Sequence, residues 1–272
     1  MIWPRGVAAV AALWLLVTVA WADVPGGEVA RVLRLDEVTA ILRDEGLRHG
    51  EALEADMLGG RAGRFFHEQV AALYDADSMG AVLVAALVET LDEADMRAVV
   101  AFFDTEQGQR ILTLENAGRV AMADPAVEDL ARARYRELAG REDAHLAEVT
   151  RFVEINDLIE RNVTSALESN YQFLRGLADG GGAGMADGDI LTEVWSREAE
   201  LRADTTSWIY GFLLMAYQPL ERGTVRAYSD FSQSAAGKAL NAALFIGFDR
   251  VYNDISYRLG LAVAQAMNGS DI

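Results

Sequence analysis

Apolar residues recur three or four positions apart through long stretches rich in Ala, Leu, Glu and Arg, and no sustained alternation of apolar and polar residues appears. That period predicts an all-α chain, of about ten to twelve helices, with no sheet. The segment from Pro125 to Gly140 carries every signal: Asp124 as N-cap, Pro125 at the first helical position, Val127, Leu130, Ala131 and Leu138 on one face, and Gly140 as the stop. Other breaks fall at Gly59-Gly60, Asp75-Ala76-Asp77, Thr90-Leu91-Asp92, Asp104-Thr105, Asp124-Pro125 and across Asp179 to Asp189.

Sliding the chain along itself by 129 positions exposes a repeat. Leu91, Arg97, Ala98, Phe102 and Gly108 fall on Leu220, Arg226, Ala227, Phe231 and Gly237, and the all-round apolar run Met79 to Val88 falls on Trp208 to Tyr217. A helix apolar on every face is one enclosed by others. Gly-rich loops precede the matching aromatics Phe66 and Trp195. The chain therefore divides into residues 1–22, a helical unit 23–147 and a second unit 148–272, two divergent multi-helix repeats packed as one body.

Both units share Phe-x-x-Thr/Ser-x-x-Gly: Phe102, Thr105 and Gly108, then Phe231, Ser234 and Gly237. This spacing suits a tight corner between helices, with the hydroxyl capping the new helix, Gly admitting close approach and Phe plugging the bend.

Arg5, the apolar run Val7 to Val19 and Ala20-Trp21-Ala22 before Asp23 have the order of a secretory signal peptide, predicting an exported, periplasmic protein whose mature chain starts near Asp23. No later stretch is continuously apolar enough to suggest a second span. Without Cys, disulfides, thiolate nucleophiles and Cys-held zinc are excluded. The balance of 24 Lys+Arg against 42 Asp+Glu, net −18, argues against nucleic acid as a partner.

Phe102 to Ala121 (FFDTEQGQRILTLENAGRVA), its echo in Phe231 to Gly237 and Ala243 to Asp249, together with Leu33 to Asp36, Arg43 to Gly46 and Tyr217 to Leu220, resemble the exported bacterial family known as domain of unknown function two-zero-five-nine. The resemblance implies an all-α periplasmic protein and brings no catalytic residues.

Chemical motifs mostly fail. His67-Glu68 opens a zincin motif, but position 71 is Ala71; Asp75 to Gly80 imitates a calcium loop, but its twelfth position is Ala86, so Asp77 or Ser78 reads as an N-cap. The glycines of 180–188 lack the Lys-Ser/Thr of a phosphate loop, and no Gly-x-Ser-x-Gly elbow occurs. No cofactor and no metal are expected. Aromatic residues number six between Asp23 and Thr150 and fourteen after it, which points either to a bulkier second core or to a cleft for an apolar ligand. Trp208, Tyr210, Phe212 and Tyr217 are expected in the core, with Trp195, Tyr252 and Tyr257 as cleft-liners. The function expected is a non-enzymatic binding module for a small apolar ligand or an envelope protein. A hydrolase using paired carboxylates between the units and a structural envelope protein are the alternatives.

Overall fold

The computed structural model describes residues 26–182 and 184–269; the expected signal peptide, residues 1–22, lies outside them. The described residues form thirteen α-helices and no strand: α1 (Gly27–Val32), α2 (Leu35–Leu58), α3 (Gly63–Leu73), α4 (Ala76–Thr90), α5 (Glu93–Phe103), α6 (Glu106–Met122), α7 (Pro125–Leu138), α8 (Ala144–Ile155), α9 (Leu158–Asp179), α10 (Asp187–Ser196), α11 (Glu198–Ala216), α12 (Arg222–Gln233) and α13 (Ala235–Gly269). Side chains that accept backbone N–H groups mark many of the starts. Asp75 caps α4, Asp92 caps α5, Asp124 caps α7 ahead of Pro125, and Asp143 caps α8. The cap of α4 is thus Asp75, accepting from the Ser78 N–H at 2.9 Å, and not Asp77 or Ser78 as the sequence suggested.

The order of parts recurs along the chain. Short α1 and α8 each end in a kink at a non-glycine residue with positive φ, Arg34 at 55° and Asp157 at 52°, before a long helix, α2 or α9. Helices α5 and α12 start 129 residues apart, as do α6 and α13. Residue 148 falls inside α8, and the residues between Leu138 and Ala144 join α7 to α8.

Packing crosses between the halves. Helix α13 lies on α4, and α6 lies on α11. A Cβ on Gly247 would stand 3.0 Å from Leu83, and one on Gly118 would stand 3.2 Å from Phe212, the positions 129 residues away from that first pair. Phe102 and Phe231, also 129 apart, stack on one another at 4.3 Å and 14°.

The corners themselves are tight. Thr105 Oγ1 accepts the Gly108 N–H at 3.0 Å and donates to the Phe102 carbonyl at 2.7 Å. Ser234 Oγ does the same with the Gly237 N–H at 3.1 Å and the Phe231 carbonyl at 2.6 Å. A Cβ would reach 2.6 Å from the Phe102 oxygen at Gly108 and 2.1 Å from the Phe231 oxygen at Gly237, so only glycine fits either turn.

The longest helix, α13, packs mainly on α9. A Cβ on Gly176 would come 2.0 Å from the Tyr257 carbonyl and one on Gly260 2.1 Å from the Phe173 carbonyl, so the two backbones are nearly in contact. In α6 the corresponding run is stopped at Met122, because Pro125 disfavours helix in the residue before it, and α7 turns away onto α11. By length and composition alone the stretch Gly63–Thr90 is apolar enough to cross a membrane, with a mean hydropathy of 1.5. Here it is two helices meeting at Tyr74 and Asp75, with Phe66, Met79, Leu83 and Leu87 buried in the core.

Candidate functional site: an aromatic cavity beside α11

A cavity of about 640 Å³ opens among α6, α8, α9, α11, α12 and α13. Eight aromatic rings line it: Phe152, Trp208, Phe212, Tyr228, Phe231, Phe245, Phe248 and Tyr252. Trp208 and Phe212, one turn apart on α11, stack at 5.2 Å and 16°, and both are only half-buried. Such a mostly apolar hollow with a few fixed polar groups is the usual form of a small-molecule site. A groove of about 720 Å³ between α7 and α11 is larger, but no Phe, Tyr or Trp lines it.

The polar groups of the cavity come from two sides. From α6, Glu115 accepts the Tyr217 hydroxyl at 2.5 Å. Burial pushes its carboxyl up to about 7, against the opposing pull of that hydrogen bond. Burial likewise raises the Tyr217 and Tyr228 hydroxyls well above their ordinary range, with the nearby Glu115 carboxylate adding to both shifts. Arg119, one turn further, grips Glu45 of α2 with Nε at 2.9 Å and Nη2 at 2.8 Å. From α13, Asp249 accepts the Ser165 hydroxyl of α9 and has no cation within ion-pair distance among the described residues. Three amides complete the wall: Asn156, Asn162 and Asn241 each donate Nδ2 to a backbone carbonyl, at 2.9, 2.7 and 3.0 Å.

Tyr252 is shared between this cavity and a neighbouring one of about 520 Å³ lined by Glu45, His49, Phe173 and Leu201. The Arg119–Glu45 pair, with Tyr252 beside it, forms the partition between the two. His49 faces the second chamber, and burial lowers its pKa, favouring the neutral ring.

Of the three aromatics expected to line a cleft, Tyr252 does. Trp195 does not: it is 63% exposed on α10, which packs mainly on α9. Tyr257 also stands elsewhere, on the face of α13 toward α9, its hydroxyl donating to Asp179 at 3.0 Å and its ring under Arg175. Of the four expected in the core, Tyr217 is fully buried, and Trp208, Tyr210 and Phe212 pack partly buried against the same cluster, Tyr210 stacking on Tyr135 at 4.6 Å and Trp208 and Phe212 also lining the cavity. The all-round apolar pattern of α11 does not show which part of such a ring faces protein and which faces a hollow. Glu115 and Asp249 had a readable signal: each interrupts an apolar face, Glu115 between Ile111 and Gly118, Asp249 between Phe245 and Tyr252.

Residues 77–137 match the model of a family described as an uncharacterized protein conserved in bacteria (DUF2059). That is the family the sequence resembles. The DUF2059 match runs from α4 through α7, so it contains the first corner and the Glu115 and Arg119 side of the cavity. No curated protein and no solved structure matches the chain.

Proposed function

We propose that this chain is an exported, periplasmic and non-enzymatic binding protein that holds a small, largely apolar ligand in the cavity beside α11. The observation that carries the reading is the stack of Trp208 on Phe212, only half-buried and facing a hollow of about 640 Å³. A ligand that covers what remains exposed of these two rings gains roughly 25 cal/mol for each Å² of apolar surface removed from water. Export rests on the signal-like pattern from Arg5 to Ala22. We further propose that the body arose as two copies of one unit exchanging helices: Phe102 meeting Phe231, and Gly118 and Gly247 each meeting the other half, are the reciprocal contacts of a two-fold interface.

The test is a thermal-shift screen of cell-envelope extract fractions against the purified protein and its Phe212→Ala variant. A fraction that raises the Tm of the first and not of the second is expected, since only a ligand of the folded state stabilises it. Extract that shifts neither, or both equally, refutes the assignment to this cavity. One observation favours a second reading, hydrolysis: two carboxyls, Glu115 and Asp249, line one cavity, and one of them has a pKa raised to about 7. Turnover of a glycoside, ester or peptide that Glu115→Gln abolishes would establish it.

A further inference from the structure

Resting on the ligand-binding reading, we propose that the ligand is a cationic amphiphile, an amine or quaternary ammonium whose charge lies beside Asp249 and whose apolar body lies on the Trp208–Phe212 stack. The charged groups of the cavity favour a cation, although the Trp208 indole N–H and the Tyr228 hydroxyl also offer donors in its wall. Asp249 has one oxygen on the Ser165 hydroxyl and no cationic partner among the described residues. Asn156, Asn162 and Asn241 each place one amide N–H on a backbone carbonyl, leaving the amide oxygen and a second N–H for a ligand. Glu115 accepts from Tyr217 with one oxygen and has the other to offer. The one cation of the lining, Arg119, is committed twice over to Glu45.

The aromatic wall points the same way, because the faces of Trp, Tyr and Phe rings attract cations. One of these rings already holds one: the Arg161 guanidinium stands 5.1 Å over Phe245, although Arg161 is not among the residues lining the cavity. The surrounding field, net −18 over the chain, raises the local concentration of cations and repels anionic amphiphiles such as fatty acids.

Isothermal titration at fixed salt, with decyltrimethylammonium, decanol and decanoate as probes, separates the cases. The ammonium is expected to bind at least tenfold tighter than decanol, and decanoate weakest. Asp249→Asn should bring the ammonium down to the level of decanol and leave decanol unchanged. Glu51→Gln, which removes the same charge from an exposed position on α2, should change neither. Trp208→Leu keeps an apolar wall without its π face and should weaken the ammonium more than decanol, so the inference stays testable if the Asp249 variant fails to fold. Equal affinity for ammonium and decanol, or equal losses in Asp249→Asn and Glu51→Gln, would overturn the cationic assignment while leaving an apolar site in place. Decanoate binding tightest and lost in Arg161→Met would overturn it in favour of an anion. Binding of none of the three would overturn the cavity reading itself.

Discussion

On α4, Leu83 and Leu87 are at most 1% exposed, and Leu83 presses against Gly247 of α13. On α11, the positions 129 residues further on are Phe212 and Ala216; both meet Gly118 of α6, yet the Phe212 ring is half-exposed and stacks on Trp208. The helix crossings correspond, but what lies beyond them differs. Helix α13 runs unbroken past α4 and on along α9, whereas α6 ends at Met122 and Pro125 sends the chain back as α7. That helix covers the Tyr210–Gly211 face of α11, through Tyr135 and Ala131, and leaves the Trp208–Phe212 face without a lid. One proline therefore separates a sealed helix from one that lines a cavity.

The sharpest way to break this comparison is at Phe66 and Trp195, which occupy matching positions after matching loops. Phe66 is 1% exposed beneath α13; Trp195 is 63% exposed. Phe66→Ala should cost about 3–5 kcal/mol in denaturant unfolding, as loss of a core aromatic does. Trp195→Ala should stay within about 0.5 kcal/mol of the parent, as surface changes do. Equal losses would mean that α10 is covered as α3 is, and the asymmetry between the halves would disappear.

Where the halves agree, a second pair of substitutions should agree as well. Gly108→Ala and Gly237→Ala each drive a methyl group into the backbone of the preceding helix, at 2.6 and 2.1 Å from a carbonyl oxygen. Overpacking of this kind costs about 1–3 kcal/mol, so both variants should melt measurably lower and by similar amounts. A loss confined to one of them would show that the shared motif serves two different structures.

These cases also show what a sequence can and cannot reveal. The helices, the Asp124-Pro125 start and both Phe-x-x-Thr/Ser-x-x-Gly corners are local, fixed by residues a few positions apart, and could be read directly. The cavity is not local. Whether Trp208 faces protein or a hollow depends on how α6, α9 and α13, distant in the chain, surround that side of α11, which no helical period in α11 encodes. Trp195 misled for the same reason: its match to Phe66 was a matter of register, while its exposure depends on what packs over α10.

The smallest effect concerns Glu115, the polar residue that α6 carries into the cavity and that has no counterpart in α13, where position 244 is Leu244. Its carboxyl is raised from 4.5 to about 7 by burial, so between those values the folded protein holds a proton that the unfolded chain has released. Stability contributed by this group is therefore greatest in acid, falls as pH rises through that window and levels off above it. In Glu115→Gln this group's share of the slope should vanish, and the variant should exceed the parent at pH 8, where the parent must keep a charge out of water. At pH 4.5 the advantage should be gone, because the parent carboxyl is then neutral and the Tyr217 hydroxyl, an acceptor as well as a donor, keeps a partner in either protein. Urea unfolding of both proteins across this range measures the difference. Parallel stability curves would place the Glu115 carboxyl in contact with water, and the α6 side of the cavity would then be open to solvent.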